Sequence, residues 1–318
     1  PEAIGRFIEN SRGLLRFAPD VEVTLEANPG TVERGRFSGY RAAGINRVSL
    51  GAQTFDAARL AALGRIHSAD ETRLAAEELH AAGLVNFNLD LMYALPGQSP
   101  QDALADVRSA LALQPQHISH YHLTMEPGTP FAANPPEQPP DDSVEDMLQI
   151  CQHELGAAGF AQYEVSAYAR AGRRARHNLN YWTFGDYLGI GAGAHGKFTN
   201  ASLDILRTTQ LREPRKYLGA VPQARSDAAV PAAQRPFEFM MNALRLIDGF
   251  DAATYAARTG LDIDALAPKL EKLRLRGLLD PTQSGWRTTA LGQRFLNEVL
   301  LEFLDSPASG VSGENRQI

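Results

Sequence analysis

Asn88-Leu89-Asp90-Leu91-Met92-Tyr93-Ala94-Leu95-Pro96-Gly97 decides how this chain is to be read. Residues 86–92 have the composition of a strand, and Leu95-Pro96-Gly97 stops it with the two strongest backbone punctuators. A helical pattern flanks it on each side: Ser68–Ala82, closed by Gly83, and Pro100–Leu113. Further strands fall at 21–25, 47–51, 117–124 and around Tyr163–Tyr168. Further helices fall at 31–43, with Thr31 as N-cap and Gly44 as its close, near 56–63, and at 141–158. Strands joined by helical crossovers make right-handed βαβ units and a parallel sheet. The repeated unit points to an α/β barrel, complete or partial, though the pattern also fits a doubly wound open sheet. This part is expected to run from 1 to 205.

Beyond it the texture changes. Residues 206–235, with Arg, Thr, Pro, Ala and Gln, are expected to form a connector. Helical patterns at 236–246, 251–258, 262–276 and 291–303 then surround Gly285-Trp286-Arg287-Thr288, which has the look of a hairpin arm. A small, helical, winged-helix-like domain is expected over 236–305. Its charge is mixed and it lacks a basic recognition helix, which argues against DNA binding. Residues 306–318, rich in Ser, Gly and Asn, are expected to be a disordered tail.

The bulk numbers narrow the field. With 318 residues, 44% of them hydrophobic, the chain can bury one large core and a small one. A net charge of -6 gives no electrostatic reason to expect nucleic acid or an anionic membrane as partner. One cysteine, Cys151, precludes an internal disulfide and suits a reducing, cytoplasmic setting. No apolar run approaches the roughly 18 residues of a membrane-spanning helix. Pro1-Glu2-Ala3-Ile4 reads as the first turn of a helix, and the chain as an N-terminally truncated piece.

In parallel βα architectures ligands bind beyond the carboxyl ends of the strands. Four polar residues fall at or just after such ends: Glu26, Gln53, Arg65 and Asp90. Two carboxylates, an amide and a guanidinium suit a zwitterionic, hydroxyl-rich ligand, with Arg65 as a fork for a carboxylate. Each taken alone also reads as a helix cap or a surface pair; taken as a set at successive strand ends, they read as a site.

The segments Thr24-Leu25-Glu26-Ala27-Asn28-Pro29-Gly30, Arg47-Val48-Ser49-Leu50-Gly51-Ala52-Gln53 and 88–97 resemble radical S-adenosylmethionine (SAM) proteins of the oxygen-independent coproporphyrinogen oxidase group. Tyr121-His122-Leu123-Thr124-Met125-Glu126-Pro127-Gly128-Thr129 and His177-Asn178-Leu179-Asn180-Tyr181-Trp182 extend the likeness over almost the whole chain. It is nearer to the group's heme-chaperone branch than to its true oxidases. The resemblance implies a partial (β/α)6 barrel lacking its first strands, with Glu26, Gln53, Arg65 and Asp90 at the SAM-contacting positions beside a 4Fe–4S cluster. It also implies a protein that binds heme and delivers it to acceptor proteins, transiently membrane-associated ones among them. The alternative it carries is a coproporphyrinogen III oxidase, in which a 5′-deoxyadenosyl radical starts oxidative decarboxylation of the propionates. The family's Cys-x3-Cys-x2-Cys loop and Gly-Gly-Gly-Thr-Pro stretch are absent from this chain.

His177, Tyr181 and Trp182 combine an imidazole with two large aromatics, which suits a heme ligand with stacking neighbours or, equally, a packed aromatic pair beside a hydrogen-bonded histidine. The resemblance links this motif to heme and makes His177 the iron-ligand candidate. Arg170, Arg173, Arg174 and Arg176 suit propionates or a solvated basic loop. The glycine run 187–196 fits tight packing or close approach to a ligand better than a dinucleotide fingerprint. His195 is a second ligand candidate, while His67, His117, His120 and His122 read mainly as structural. Cys151 sits in a helical run and reads as a buried thiol.

Overall fold

Four strands of the first unit, Pro1–Arg176, lie parallel: β1 Thr24–Ala27, β2 Arg47–Gln53, β3 Phe87–Tyr93 and β4 His117–His122. Two more, β5 Ala161–Glu164 and β6 Ala167–Ala169, complete a sheet in the order β1-β2-β3-β4-β6-β5. The computed structural model describes residues 1–30, 35–220 and 225–304. The Thr31 cap and the 306–318 tail lie outside them.

The crossover helices begin where the side chains dictate. Ser68 and Ser99 each accept from the backbone N–H three residues on, while Glu71 and Asp102 take the serine N–H in return. Pro100 occupies the first turn, where its missing N–H costs nothing. The helical faces carrying Leu79, Val107, Met147 and Leu155 close on Val48, Leu50, Phe87, Leu89, Leu91 and Ile118 of the sheet. All these side chains are buried and form the apolar core on one side of the sheet.

Two expectations are corrected here. The helix expected from 31 to 43 spans Phe37–Ala42 among the described residues. The strand expected around Tyr163–Tyr168 is a hairpin, and β6 runs antiparallel to both β4 and β5. Its reversal has neither glycine nor proline; the Glu164 carboxylate accepts from Ser166 N at 3.1 Å and from Ser166 Oγ at 3.0 Å, which fixes the bend.

The second unit starts at His177, so residues 177–205 belong to it and not to the barrel-like sheet. The stretch expected to be a connector carries structure: β7 His195–Thr199, β8 Ile205–Gln210 and β9 Arg225–Ala229 form an antiparallel sheet in that order. The remainder is helical with a small wing, β10 Phe250–Asp251, β11 Leu279–Pro281 and β12 Gly285–Thr288, ordered β10-β12-β11. Expected helix 262–276 is a 3-10 turn followed by Ala267–Leu275, with Pro268 in its first turn. Expected helix 291–303 is broken at Phe295, whose φ of -109° and ψ of 35° are not helical. Phe239 is the hub of this core, with ring centroids 5.0–5.8 Å from Phe184, Phe250 and Tyr255.

His120 on β4 is buried and stacked on Tyr93 at 4.5 Å, and burial lowers its pKa from 6.5 to about 4. Between those values the unfolded chain holds a proton that the folded chain does not, so stability falls as pH drops through that window. We expect a loss of roughly 3 kcal/mol from this group by pH 4. Urea unfolding of wild type and His120→Phe at pH 7 and pH 4 checks it: the variant should lose less on acidification. Equal losses would remove His120 as the cause.

Candidate functional site

The other face of the first sheet is polar. Along β2, Arg47 and Ser49 alternate with core residues Val48 and Leu50; along β3 and β4, Asn88, Asp90, His117 and Ser119 do the same. Strand register sets Glu26 beside Ser49, Ser49 beside Asn88 and Asn88 beside His117, a row of polar side chains across four strands. This polar face is buried as well: Arg47, Ser49, Asn88, His117 and Ser119 are all between 0% and 3% exposed, so their polar groups must find partners within the protein.

This row is wired to Asp90. Asn88 Nδ2 donates to Asp90 Oδ1 at 2.8 Å and to Ser49 Oγ at 2.9 Å, and Ser49 Oγ donates to Asp90 Oδ2 at 3.1 Å. The amide oxygen of Asn88 faces His117 Nδ1 at 2.6 Å and accepts from Ser119 Oγ at 3.1 Å. A carbonyl oxygen only accepts, so His117 carries its proton on Nδ1 and its Nε2 accepts from the Tyr163 hydroxyl at 2.8 Å. Burial raises the Asp90 carboxyl, and hydrogen bonds from Asn88, Ser119 and Ser49 oppose the shift. Burial also raises the Tyr163 hydroxyl, to about 12, which keeps it protonated as a donor.

Glu26 lies on β1 itself and is exposed. Gln53 is the last residue of β2, buried, with φ of 66°. Its amide folds back over Gly51, where an added Cβ would come within 2.9 Å of Nε2. A side chain at 51 would therefore displace Gln53. Arg65 is exposed on the loop after helix Ala57–Ala62, and that loop is tied to the end of β2 by His67 Nε2, 3.3 Å from Ala52 O. Glu26 and Asp90 thus share Ser49 as a neighbour, Gln53 lies at the end of the same strand, and Arg65 stands apart on an exposed loop.

Asp106 was not legible as part of the site. Buried in helix Pro100–Ala112, it accepts from Thr54 Oγ1 at 2.7 Å, Phe55 N at 2.7 Å and Gln98 Nε2 at 3.3 Å. It clamps the loop after β2, at the two residues that follow Gln53, to the loop after β3. The signal was a carboxylate on the helix stripe otherwise occupied by Ala103, Val107 and Ala110.

In the second unit, His177 and Tyr181 are four residues apart on helix Arg176–Trp182, hence on one face. His177 is half-buried and Tyr181 is 37% exposed, its ring edge-on to Tyr187 at 4.6 Å. Trp182 lies under the Arg245 guanidinium, 4.3 Å from its carbon. Of the arginines read as propionate partners, Arg170 lies over Phe160, Arg174 lies over Tyr163, and Arg176 pairs with Asp20 at 2.8 Å. His195 is exposed, with Thr209 Oγ1 at 3.4 Å from Nδ1.

A 4Fe–4S cluster does not fit the residues present. Cys151 is the chain's one cysteine, buried in the core, its thiol pushed up to about 12 by burial. Among the described residues no three His, Cys, Asp or Glu side chains gather as metal ligands. SAM does fit the strand-end donors and acceptors, which offer carboxylates for an amine and hydroxyls and an amide at backbone level. No helix among the described residues is long and apolar enough to cross a membrane.

Residues 2–110 match the radical SAM superfamily and residues 230–295 match the HemN C-terminal domain. The chain is 46% identical to the heme chaperone HemW of Escherichia coli (strain K12), over 95% of this chain and 80% of that protein. It is 43% identical to the heme chaperone HemW of Haemophilus influenzae, over 95% and 79% of the two chains. The solved structure of coproporphyrinogen III oxidase (HemN) from Escherichia coli superposes with a TM-score of 0.74 over 94% of this chain and 73% of that one, at 21% identity. The last likeness speaks to fold, and the fold is that of the radical SAM proteins with a HemN-type C-terminal domain. With 43–46% identity over about four fifths of these two HemW proteins, the chain belongs to the HemW heme-chaperone family of the radical SAM superfamily.

Proposed function

We propose that this protein binds heme and passes it to heme-requiring acceptor proteins, and that its N-terminal unit takes SAM at the Glu26–Gln53–Asp90 strand ends with Arg65 on the neighbouring loop. The observation that carries the heme reading is the identity with heme chaperones over 95% of the chain. The oxidase alternative rests on a 21% likeness that speaks only to fold. His177 is the iron-ligand candidate, with Tyr181 on the same helix face and Trp182 at the end of that helix as further heme candidates. Radical SAM chemistry needs SAM and a 4Fe–4S cluster together, and the residues present suit SAM alone. The chain's own part is to hold SAM: the Asn88–Ser49 pair fixes both Asp90 oxygens toward the ligand, and Gln53 presents its amide from a backbone turn. The free thiol of Cys151 suits a cytoplasmic setting, from which acceptors at a membrane surface would also be served.

Titrating the full-length protein and its His177→Ala variant with heme, followed by Soret absorbance, tests this. Saturable binding in the wild type, weakened at least tenfold or shifted in band position in the variant, is the expected outcome. Wild-type binding identical in affinity and spectrum to the variant would remove His177 as ligand. Absence of saturable binding in the wild type would remove the heme reading altogether.

A further inference from the structure

Residues 188–190 cross one face of the second unit's β7–β9 sheet and leave beneath them a groove of about 460 Å³. We propose that this groove is where the tetrapyrrole lies; the assignment rests on the heme reading above and adds to it a location. The loop is built to stay there. Gly196, on the same sheet face, leaves room for it: an added Cβ would meet Gly189 N at 3.0 Å and Tyr187 O at 3.1 Å. Tyr187 forms a two-way backbone bridge with Lys197, 2.9 Å in each direction. Gln210 Nε2 donates to Gly189 O at 3.0 Å, and Gly191 N donates to the Tyr217 hydroxyl at 3.2 Å.

What this framework presents is apolar on one side and polar on the other. Leu188 is 68% exposed, Ile190 64% and Phe198 47%, and all three line the groove with Leu206. Large apolar side chains held in water around one cavity mark a binding surface. The volume lies in the range of about 300–1,000 Å³ typical of small-molecule sites. At the opposite side, Arg225 pairs with Asp227 through two bonds of 2.8 and 2.9 Å. A guanidinium has five N–H donors, so this pair leaves donors over for a carboxylate. A flat macrocycle with two apolar faces and carboxylates along one edge matches that division; a sugar or a nucleotide does not. Tyr187, a lining residue, touches Tyr181 edge-on, which joins the groove to the helix bearing His177 by one ring contact.

The test uses the full-length protein, its Leu188→Glu/Ile190→Glu variant and hemin as probe. Both side chains are exposed, so the fold should survive, and near-identical circular dichroism melting checks that it does. The expected result is saturable hemin binding by the wild type and an affinity at least tenfold weaker in the variant. Hydrogen–deuterium exchange should also slow at 187–190 and 225–227 when hemin is added to the wild type. Equal affinities, with no added protection, overturn the groove while leaving the heme reading intact. Unchanged affinity with loss of heme transfer to an apo-acceptor also overturns it, by making the groove a protein-docking face. Failure of the wild type to bind hemin saturably overturns both.

Discussion

Asp106→Ala should lower the unfolding free energy by about 3–5 kcal/mol, because three donors, two of them on buried residues, lose their acceptor at once and each stranded buried group costs about 1–3 kcal/mol. The donors are Thr54 Oγ1, Phe55 N and Gln98 Nε2, and both Thr54 and Gln98 are buried. The damage extends past stability. Asp106 fixes the loop immediately after Gln53, so SAM affinity in the full-length protein should drop severalfold although Asp106 contacts no ligand position. Asp106→Asn retains one acceptor oxygen for Phe55 N and should recover about half of the lost stability. Denaturant titration and equilibrium dialysis with labelled SAM measure the two effects. A loss below 1 kcal/mol for the alanine variant would show that water replaces the carboxylate and that the clamp is dispensable.

Phe239→Ala should cost about 3–5 kcal/mol, the range for deleting a buried aromatic side chain. Phe239 is fully buried, and three rings meet it edge-on, so its removal takes area and aromatic contacts together. The loss belongs to the second unit, whose core is separate from that of the first. A calorimetric scan should therefore show one transition moving down and another holding its place. Phe184, one of those three rings, also lies 4.2 Å from the buried Lys197 ammonium, which Asp186 neutralises at 2.8 Å. Through that contact the hole should loosen β7, and heme binding should weaken in parallel. Phe239→Leu, which keeps most of the volume, should cost less than half as much; equal losses would point to strain and not to the cavity.

Local chemistry carried much of this fold into the sequence, and long-range geometry hid the rest. The first four strands and the helices capped by Ser68 and Ser99 were readable because capping and turn signals sit within a few residues of the element they end. The β5–β6 hairpin was not, since its reversal depends on Glu164 folding back on Ser166 where no glycine or proline announces a turn. The β7–β9 sheet was hidden for another reason. Its small polar residues suggested a connector, and only pairing across the chain turns them into strands. At the candidate site, Glu26, Gln53, Arg65 and Asp90 stood out as strand-end polar residues. Ser49, Asn88, His117 and Tyr163 did not, because the network that makes them matter joins residues up to 46 positions apart.

The two-sided sheet of the first unit has a consequence for how the sequence can drift over time. On β2, β3 and β4, neighbouring residues answer to different constraints: Val48, Leu50, Leu89 and Ile118 to the volume of a packed interior, Ser49, Asn88, Asp90 and Ser119 to donor and acceptor geometry. Substitutions at the first set should be exchanges among aliphatic side chains of similar size, compensated by changes in the covering helices. Those at the second set should be nearly frozen, or should change together across strands. Tolerance should therefore oscillate with a period of two residues along each strand, and a lineage that changed its ligand would rewrite only every other position while leaving the interior untouched.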